Sequence, residues 1–182
     1  MIKPTVSLSD SLLDDTNLVS SAQRNPAEFA ALYDRYFRQV YHYLYSRVGS
    51  AAEAEDLTAQ TFLAALEALP RYRHRGHFAA WLFTIARNKV RDFYRSGATI
   101  IPLDENHPDK AGDPLSQVIQ TDQVEQLTNL IRKLDADEQE LIRLRYVADL
   151  SFAVIGVCLG RKEDTVKKTF YRLLARLQRQ LE

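Results

Sequence analysis

The sequence predicts an all-α protein made of two helical domains joined by a flexible linker. Three segments open with a helix-capping residue followed three positions later by Glu, at 25–28, 50–53 and 135–138. No segment shows the sustained two-residue alternation that is typical of a half-buried strand. Residues 96–114 combine glycine, proline and acidic side chains, a composition that disfavours regular structure. Helices therefore lie on both sides of this break.

The spacing of apolar residues then places each helix in order. Helices are expected near 26–48 (α2), 51–69 (α3), 77–95 (α4), 122–134 (α5), 136–148 (α6), 151–158 (α7) and 162–180 (α8), with a shorter one near 14–23 (α1). The break divides the chain into a first domain at 14–96, an acidic linker at 97–121 and a smaller second domain at 122–182.

Composition narrows the classes of function. The chain has 182 residues, of which 26% are charged and 46% hydrophobic, an ordinary balance for a folded protein. Its formal net charge is zero, so bulk charge predicts no partner. Cys158 is the only cysteine, which fits a reducing compartment. No apolar run approaches the roughly 20 residues of a membrane span. We therefore expect a cytoplasmic protein that does not insert into membranes.

The charge is nonetheless sorted along the chain. Residues 71–95 contain seven Lys and Arg against a single acid, and residues 161–179 contain seven more against two acids. Residues 96–126, which lie between them, hold six acids against one lysine. Charge runs are usually solvated helix faces. Two basic patches with aromatic residues between the charges favour nucleic-acid binding instead.

The helix predicted at 77–95 has two contrasting faces at about 100° per residue. One face is apolar and is typical of a core: Phe78, Leu82, Ile85, Ala86 and Phe93. The other, here called the α4 basic face, comprises Thr84, Arg87, Asn88, Arg91 and Arg95. Arginine binds phosphate in a forked geometry, and asparagine can pair with a base edge in two places. This face is therefore predicted to bind nucleic acid.

The segment just before this helix adds basic and aromatic side chains. They are Arg71, Tyr72, Arg73, His74, Arg75 and His77. Such a loop can follow a phosphate backbone and stack an unpaired base. We expect it to extend the same nucleic-acid surface.

Residues 150–171 predict a helix-turn-helix. A short helix containing Gly156 meets a turn at Gly160, and a second helix follows. That second helix would present a largely basic strip to a DNA major groove. The strip, here called the α8 strip, comprises Arg161, Lys162, Glu163, Asp164, Thr165, Lys167, Lys168, Tyr171 and Arg172. A plain helical hairpin is the alternative, and the basic exposed face argues against it.

Taken together, these segments resemble the extracytoplasmic function (ECF) sigma factors of bacterial RNA polymerase, within the sigma-70 family. Residues 77–95 resemble the promoter-melting segment, residues 55–63 (EDLTAQTFL) the polymerase-clamp helix, and residues 150–172 the second promoter-reading domain. The resemblance implies a non-enzymatic sigma factor that binds RNA polymerase core and promoter DNA. Its first domain would melt and read the proximal element, and its second would bind the upstream duplex. It also implies an anti-sigma factor as a partner.

The resemblance further implies a polymerase-binding face on the 55–63 helix. This clamp face comprises Asp56, Ala59, Gln60 and Leu63. The sequence departs from the family pattern at four positions. Ala59 stands where Gln is usual and Gln60 where an acid is usual. In the second domain Val154 replaces Glu, and Gly156 replaces Ala inside a helix, at a cost of about 1 kcal/mol in helix propensity.

Catalytic and metal-binding functions find no support in the sequence. The four histidines lack ligand spacing, and no phosphate-binding glycine loop or nucleophile elbow is present. We therefore expect no catalytic site, no metal and no cofactor. Two alternatives stay open. A helix-turn-helix regulator that acts without polymerase explains 150–180 but leaves 71–95 unused. A sigma-like protein-interaction adaptor would suit the altered clamp face and the acids at 163–164.

Overall fold

The computed structural model describes residues 8–73, 76–97 and 126–181, with side chains from residue 15 onward. Its α-helices are α1 (Leu8–Arg24), α2 (Phe29–Val48), α3 (Ala51–Ala68), α4 (Phe78–Arg95), α5 (126–132), α6 (Ala136–Ile142), α7 (Phe152–Leu159) and α8 (Glu163–Leu181). Short 3₁₀ turns cover Pro26–Glu28 and Leu69–Arg71, and a π-helical turn covers Arg143–Val147. The predicted all-α class is confirmed. The linker predicted at 97–121 lies outside the described residues except for Gly97.

Capping residues explain where several helices begin. Asn25, Ser50, Asp135 and Ser151 each accept a hydrogen bond from a backbone N–H two or three residues later. Each bond satisfies a donor that the first helical turn leaves without an intrahelical partner. The capping signals predicted at 25–28, 50–53 and 135–138 are thus confirmed.

Helices α2, α3 and α4 pack together, and α1 packs against α2 and α4. Helix α4 is buried on more than one side because α2, α3 and α7 all contact it. Phe78, Leu82 and Ala86 of the predicted apolar face are fully buried. Phe83, which lies outside that face, is also 0% exposed and packs edge-on against Tyr43, with ring centroids 5.5 Å apart. Ile85 and Phe93 are only half-buried.

Helices α7 and α8 form the helix-turn-helix, and α6 packs against α8. Gly160 ends α7 with a φ of 65°, a left-handed conformation that favours glycine. The N–H of Arg161 then donates to the carbonyl of Gly156 over 2.8 Å, which closes the turn. The buried stripe of α8 recurs at helical spacing: Val166, Phe170, Leu173 and Leu177.

The helices of the two predicted domains pack directly on each other. Helix α7 lies against α4, and the π-helical turn lies against α2. One connected cluster of buried apolar side chains includes residues from both halves, for example Phe83 and Ile155. Charged side chains from the two halves therefore meet at a shared, partly buried boundary.

Two properties bear on the function classes considered above. Across the part of the chain that the structure describes, no helix has both the length and the apolar character needed to cross a membrane. Within the same residues, no three His, Cys, Asp or Glu side chains gather as a potential metal site.

Candidate nucleic-acid interface

Four of the five members of the α4 basic face are exposed, three of them in the second half of the helix. Asn88, Arg91 and Arg95 are exposed, and Thr84 is exposed one turn earlier. The guanidinium of Arg91 donates to the carboxamide oxygen of Asn88 over 3.1 Å. Arg95 forms a 3.0 Å ion pair with Asp92, and its side chain is 77% exposed. Such exposed ion pairs are weak and easily exchanged for phosphate contacts.

The loop before α4 presents aromatic rings beside this face. The rings of Tyr72 and Trp81 lie against each other at a tilt of 31°, with centroids 4.4 Å apart, and Trp81 lies 5.5 Å from Phe78. The side-chain amide of Gln23 anchors the loop by donating to the carbonyls of Leu69 and Tyr72. The rings of Tyr72 and Trp81 line a pocket of about 320 Å³ beside Thr84.

The other loop residues singled out from sequence occupy different environments. Arg71 and Arg73 are exposed, and His77 is half-buried at the start of α4. His74 and Arg75 lie outside the described residues.

The α8 strip is exposed along most of its length. Lys162, Asp164, Thr165, Lys168 and Arg172 all face solvent. The remaining members have neighbours within the C-terminal half. Arg161 pairs with Asp137, and Lys167 pairs with Glu163 over 2.7 Å. Tyr171 is 60% exposed and stands at the edge of the rings of Phe152 and Phe170.

The clamp face on α3 is exposed at all four positions. Leu63 is 58% exposed, which is unusual for so large an apolar side chain. Gln60 and Asp56 lie one and two turns before Leu63. The side-chain amide of Gln60 donates to the carboxylate of Asp56 over 2.6 Å. An exposed leucine beside an acid and an amide suits a protein-docking surface better than a solvated face.

Arg87 is the one half-buried member of the α4 basic face. Its Nε donates to the Glu140 carboxylate over 2.9 Å, and one of its terminal nitrogens donates to the carbonyl of Cys158 over 3.0 Å. Glu140 also accepts from Tyr43 over 2.8 Å and pairs with Arg47. In this arrangement Arg87 binds the C-terminal half of its own chain.

Burial shapes the protonation of groups around Glu140. Burial, reinforced by the Glu140 carboxylate, raises the pKa of the Tyr43 phenol far above its usual range. Tyr43 is therefore a permanent hydrogen-bond donor. Burial also raises the pKa of the Cys158 thiol. Burial and the neighbouring positive charge of Arg47 lower the pKa of the Arg143 guanidinium.

Sequence reasoning missed the group around Glu140. Tyr43 and Glu140 are 97 residues apart in sequence, so no local motif connects them. The available signal was the position of Glu140 directly before the buried Leu141, on the side of α6 that turns inward. A glutamate at a core-facing position is rarely buried without a cationic partner.

Two family models match the chain: Sigma-70 region 2 over residues 32–99 and Sigma-70 region 4 over residues 124–177. The first match contains α3 and α4 with their exposed faces, and the second contains the helix-turn-helix. A helical region 2 followed by a helix-turn-helix region 4 defines the sigma factors, DNA-binding initiation factors that direct RNA polymerase to promoters.

Curated relatives narrow the class. The chain is 38% identical to the ECF RNA polymerase sigma factor BldN of Streptomyces coelicolor, over 90% of this chain and 64% of BldN. It is 34% identical to the ECF RNA polymerase sigma factor SigD of Mycobacterium tuberculosis, over 76% of this chain and 70% of SigD. The chain belongs to the ECF sigma factors. It is accordingly a transcription initiation factor and not an enzyme.

A solved structure supports the fold. The structure of CnrH in complex with the cytosolic domain of CnrY matches with a TM-score of 0.65 and 25% identity, covering 90% of this chain and 94% of that chain. The match spans both helical halves.

Proposed function

We propose a division of labour in which the clamp face binds RNA polymerase core, the α4 basic face reads and melts the proximal promoter element, and the α8 strip reads the upstream duplex. The observation that carries this proposal is the α4 basic face itself. Asn88, Arg91 and Arg95 stand exposed on one helix, beside the paired rings of Tyr72 and Trp81. Cations and aromatic rings together suit an opened DNA strand, because phosphates meet the cations and bases stack on the rings.

The α8 strip suits a duplex rather than a single strand. Lys168 and Arg172 lie one turn apart on the exposed side of α8, opposite its buried stripe. Lysine and arginine at this spacing can reach guanine edges and phosphates in a major groove. Glu163 and Asp164 at the start of α8 favour contact with a cytosine amino group and disfavour phosphate. Two weak contacts on one chain strengthen each other through effective concentration.

We further propose a cytoplasmic site of action and control by an anti-sigma factor. Promoter DNA and RNA polymerase lie in the bacterial cytoplasm, and the only cysteine, Cys158, is a free thiol. The matched CnrH structure, a complex with the cytosolic domain of a second protein, supports a protein partner for the same fold. Co-purification with such a partner, followed by its displacement with polymerase core, tests this regulation.

Reversing the charge of Asp56 is expected to weaken polymerase-core binding by about tenfold or more. The docking face loses an acid and gains a positive charge, which would repel the surface of the core that the acid attracts. Asp56 is exposed, so Asp56→Arg should leave the thermal melting curve unchanged. The measurement is equilibrium binding of the labelled chain to core. Glu55→Arg is the matched control, since Glu55 is exposed on the same helix but points about 100° away. Equal losses from both variants would contradict the assignment of the clamp face.

Replacing Asn88 and replacing Arg91 with alanine are expected to affect DNA binding in different ways. Arg91→Ala should weaken the binding of all fork-shaped promoter DNAs alike and reduce the salt slope by about one. Asn88→Ala should instead reduce discrimination between sequences by about 1–3 kcal/mol. Competition binding by the holoenzyme, with fork DNAs chosen from a genomic fragment library, measures both. Arg38→Ala, which removes an exposed arginine of α2, is the control for charge alone. Identical effects on sequence preference from Asn88→Ala and Arg91→Ala would refute the division of roles.

A further inference from the structure

We propose that Gln23 of α1 is a positioning residue for the opened promoter strand and that it acts through Tyr72. Its side chain fixes the backbone that carries Tyr72, so that the rings of Tyr72 and Trp81 stand in place before DNA arrives. The inference rests on the proposed function, because it requires those rings to contact the opened strand. Helix α1 thereby takes part in promoter opening from outside the α4 basic face and the loop before α4.

The first support is that one side-chain amide holds two carbonyls of the same turn. Nε2 of Gln23 donates to the Leu69 carbonyl over 2.9 Å and to the Tyr72 carbonyl over 2.7 Å. A primary amide has two N–H donors, so Gln23 uses both of them here. The N–H of Tyr72 also donates to the Leu69 carbonyl, over 3.0 Å. Both peptide groups that flank Tyr72 are therefore held, which fixes the direction of its side chain.

The second support is that α1 is itself firmly held. Val19 and Ala22 of α1 are buried in the core. Asp15, also buried, accepts a hydrogen bond from the Tyr36 hydroxyl of α2 over 2.5 Å. Asp15 and Gln23 lie about 12 Å apart along the helix axis, since each residue adds 1.5 Å. One end of α1 is thus anchored on α2, and the other end carries the amide that holds the turn.

The third support is the place of Tyr72 between α1 and the candidate DNA surface. Its ring lies edge-on to Phe78, with centroids 5.8 Å apart, and it lines the pocket beside Thr84 together with Trp81. Bases stack on such rings, and rings that already stand in place bind without an ordering cost. Loss of the Gln23 bonds is therefore expected to weaken binding to an opened strand and to leave binding to a closed duplex unchanged.

Gln23 can be changed without disturbing the core, because its side chain is exposed. Gln23→Met removes both donors without adding a charge. Gln23→Glu keeps the shape of the side chain and places a carboxylate against two carbonyl oxygens, which it repels. Both replacements are close to glutamine in helix propensity. Asn17→Asp is the matched control, because it makes the same amide-to-acid change at an exposed position of α1 that points about 120° away.

The chain carries its own reporter of Tyr72, because Trp81 is its single tryptophan. The first measurement is acrylamide quenching of Trp81 fluorescence in the full chain without DNA. Tyr72→Ala supplies the value for a Trp81 ring that lacks this neighbour. We expect both Gln23 variants to raise the quenching constant toward that value, and Asn17→Asp to keep the wild-type value. Unchanged quenching in the folded Gln23 variants would overturn the proposal. Far-UV circular dichroism checks folding, and Gln23→Met decides if Gln23→Glu does not fold.

The second measurement is holoenzyme binding to fork DNA and to the fully paired duplex of the same sequence. We expect each Gln23 variant to weaken fork binding about threefold to tenfold, the range expected for one or two exposed hydrogen bonds, and to leave duplex binding unchanged. A double-mutant cycle identifies the route. Gln23→Met should have no further effect in a chain that already carries Tyr72→Ala. A general structural role of Gln23 instead predicts equal losses with and without Tyr72→Ala, and that result contradicts the proposal.

The same measurements separate failure of this inference from failure of the proposed function. If Tyr72→Ala leaves fork binding at the wild-type value, the proposed role of the rings fails, and the positioning role of Gln23 fails with it. If Tyr72→Ala weakens fork binding whereas neither Gln23 variant does, the proposed function stands and the inference about Gln23 alone is overturned.

Discussion

Replacing Phe83 with alanine is expected to lower the free energy of unfolding by about 3–5 kcal/mol, the cost usual for truncating a buried aromatic side chain. Phe83 is 0% exposed and its ring meets Tyr43 edge-on at 5.5 Å. The loss includes the apolar area of the ring and a cavity between α2 and α4 that the backbone cannot close. Denaturant unfolding followed by circular dichroism measures the change.

Trp81→Ala is the matched comparison on the same helix. Trp81 is half-buried, and its ring packs on Tyr72 and Phe78 at the edge of a pocket rather than inside the core. We expect a loss of about half that of Phe83→Ala or less, because less area leaves water and the site can collapse. Trp81→Ala should cost more free energy in fork-DNA binding than in the free energy of unfolding. An unfolding midpoint for Phe83→Ala equal to that of Trp81→Ala would contradict this account of α4.

The contrast between Trp81 and Phe83 shows which buried residues of α4 helical periodicity can predict and which it cannot. Projection at about 100° per residue places Trp81 at the margin of the apolar face, and the structure agrees. The same projection leaves Phe83 outside that face. A single apolar stripe assumes one neighbour, whereas α4 contacts α2, α3 and α7 and is buried on several sides. Which helices surround α4 is a tertiary fact that local spacing does not contain.

The candidate site shows the same limit of helical periodicity, now for residues that are far apart in the sequence. The exposed positions of the α4 basic face, Asn88, Arg91 and Arg95, follow from helical spacing alone. The placement of Arg87 does not, because its partner Glu140 is 53 residues away and comes from the other half of the chain. Caps were predictable since a cap and its donor are two or three residues apart. Pairings across the chain depend on how the halves dock.

Gly156 shows how a local rule can predict the wrong sign. Inside a helix, glycine is less favourable than alanine by about 1 kcal/mol, so propensity alone predicts that Gly156→Ala stabilises the protein. In the structure, a Cβ on Gly156 would lie 2.7 Å from the carbonyl oxygen of Arg161 and 3.3 Å from the backbone nitrogen of Glu163. Both obstacles are backbone atoms of the turn that leads into α8. Glycine at this position therefore permits the close approach of α7 to that turn.

We accordingly expect Gly156→Ala to destabilise the protein by about 1–3 kcal/mol, the usual cost of forcing an extra methyl group into a packed site. The turn must shift to relieve the contact, and its hydrogen bond from Arg161 N–H to the Gly156 carbonyl would lengthen. Since that turn orients α8, upstream-duplex binding by the holoenzyme should fall together with stability. Gly160→Ala is the control: a Cβ there meets no atom within 4 Å, so its cost comes only from a φ of +65°. That strain is about 1–2 kcal/mol. The Gly160→Ala substitution leaves the close approach of α7 to the turn unchanged. If Gly156→Ala raised the unfolding midpoint, helix propensity would outweigh the contact and this explanation of the glycine would be wrong.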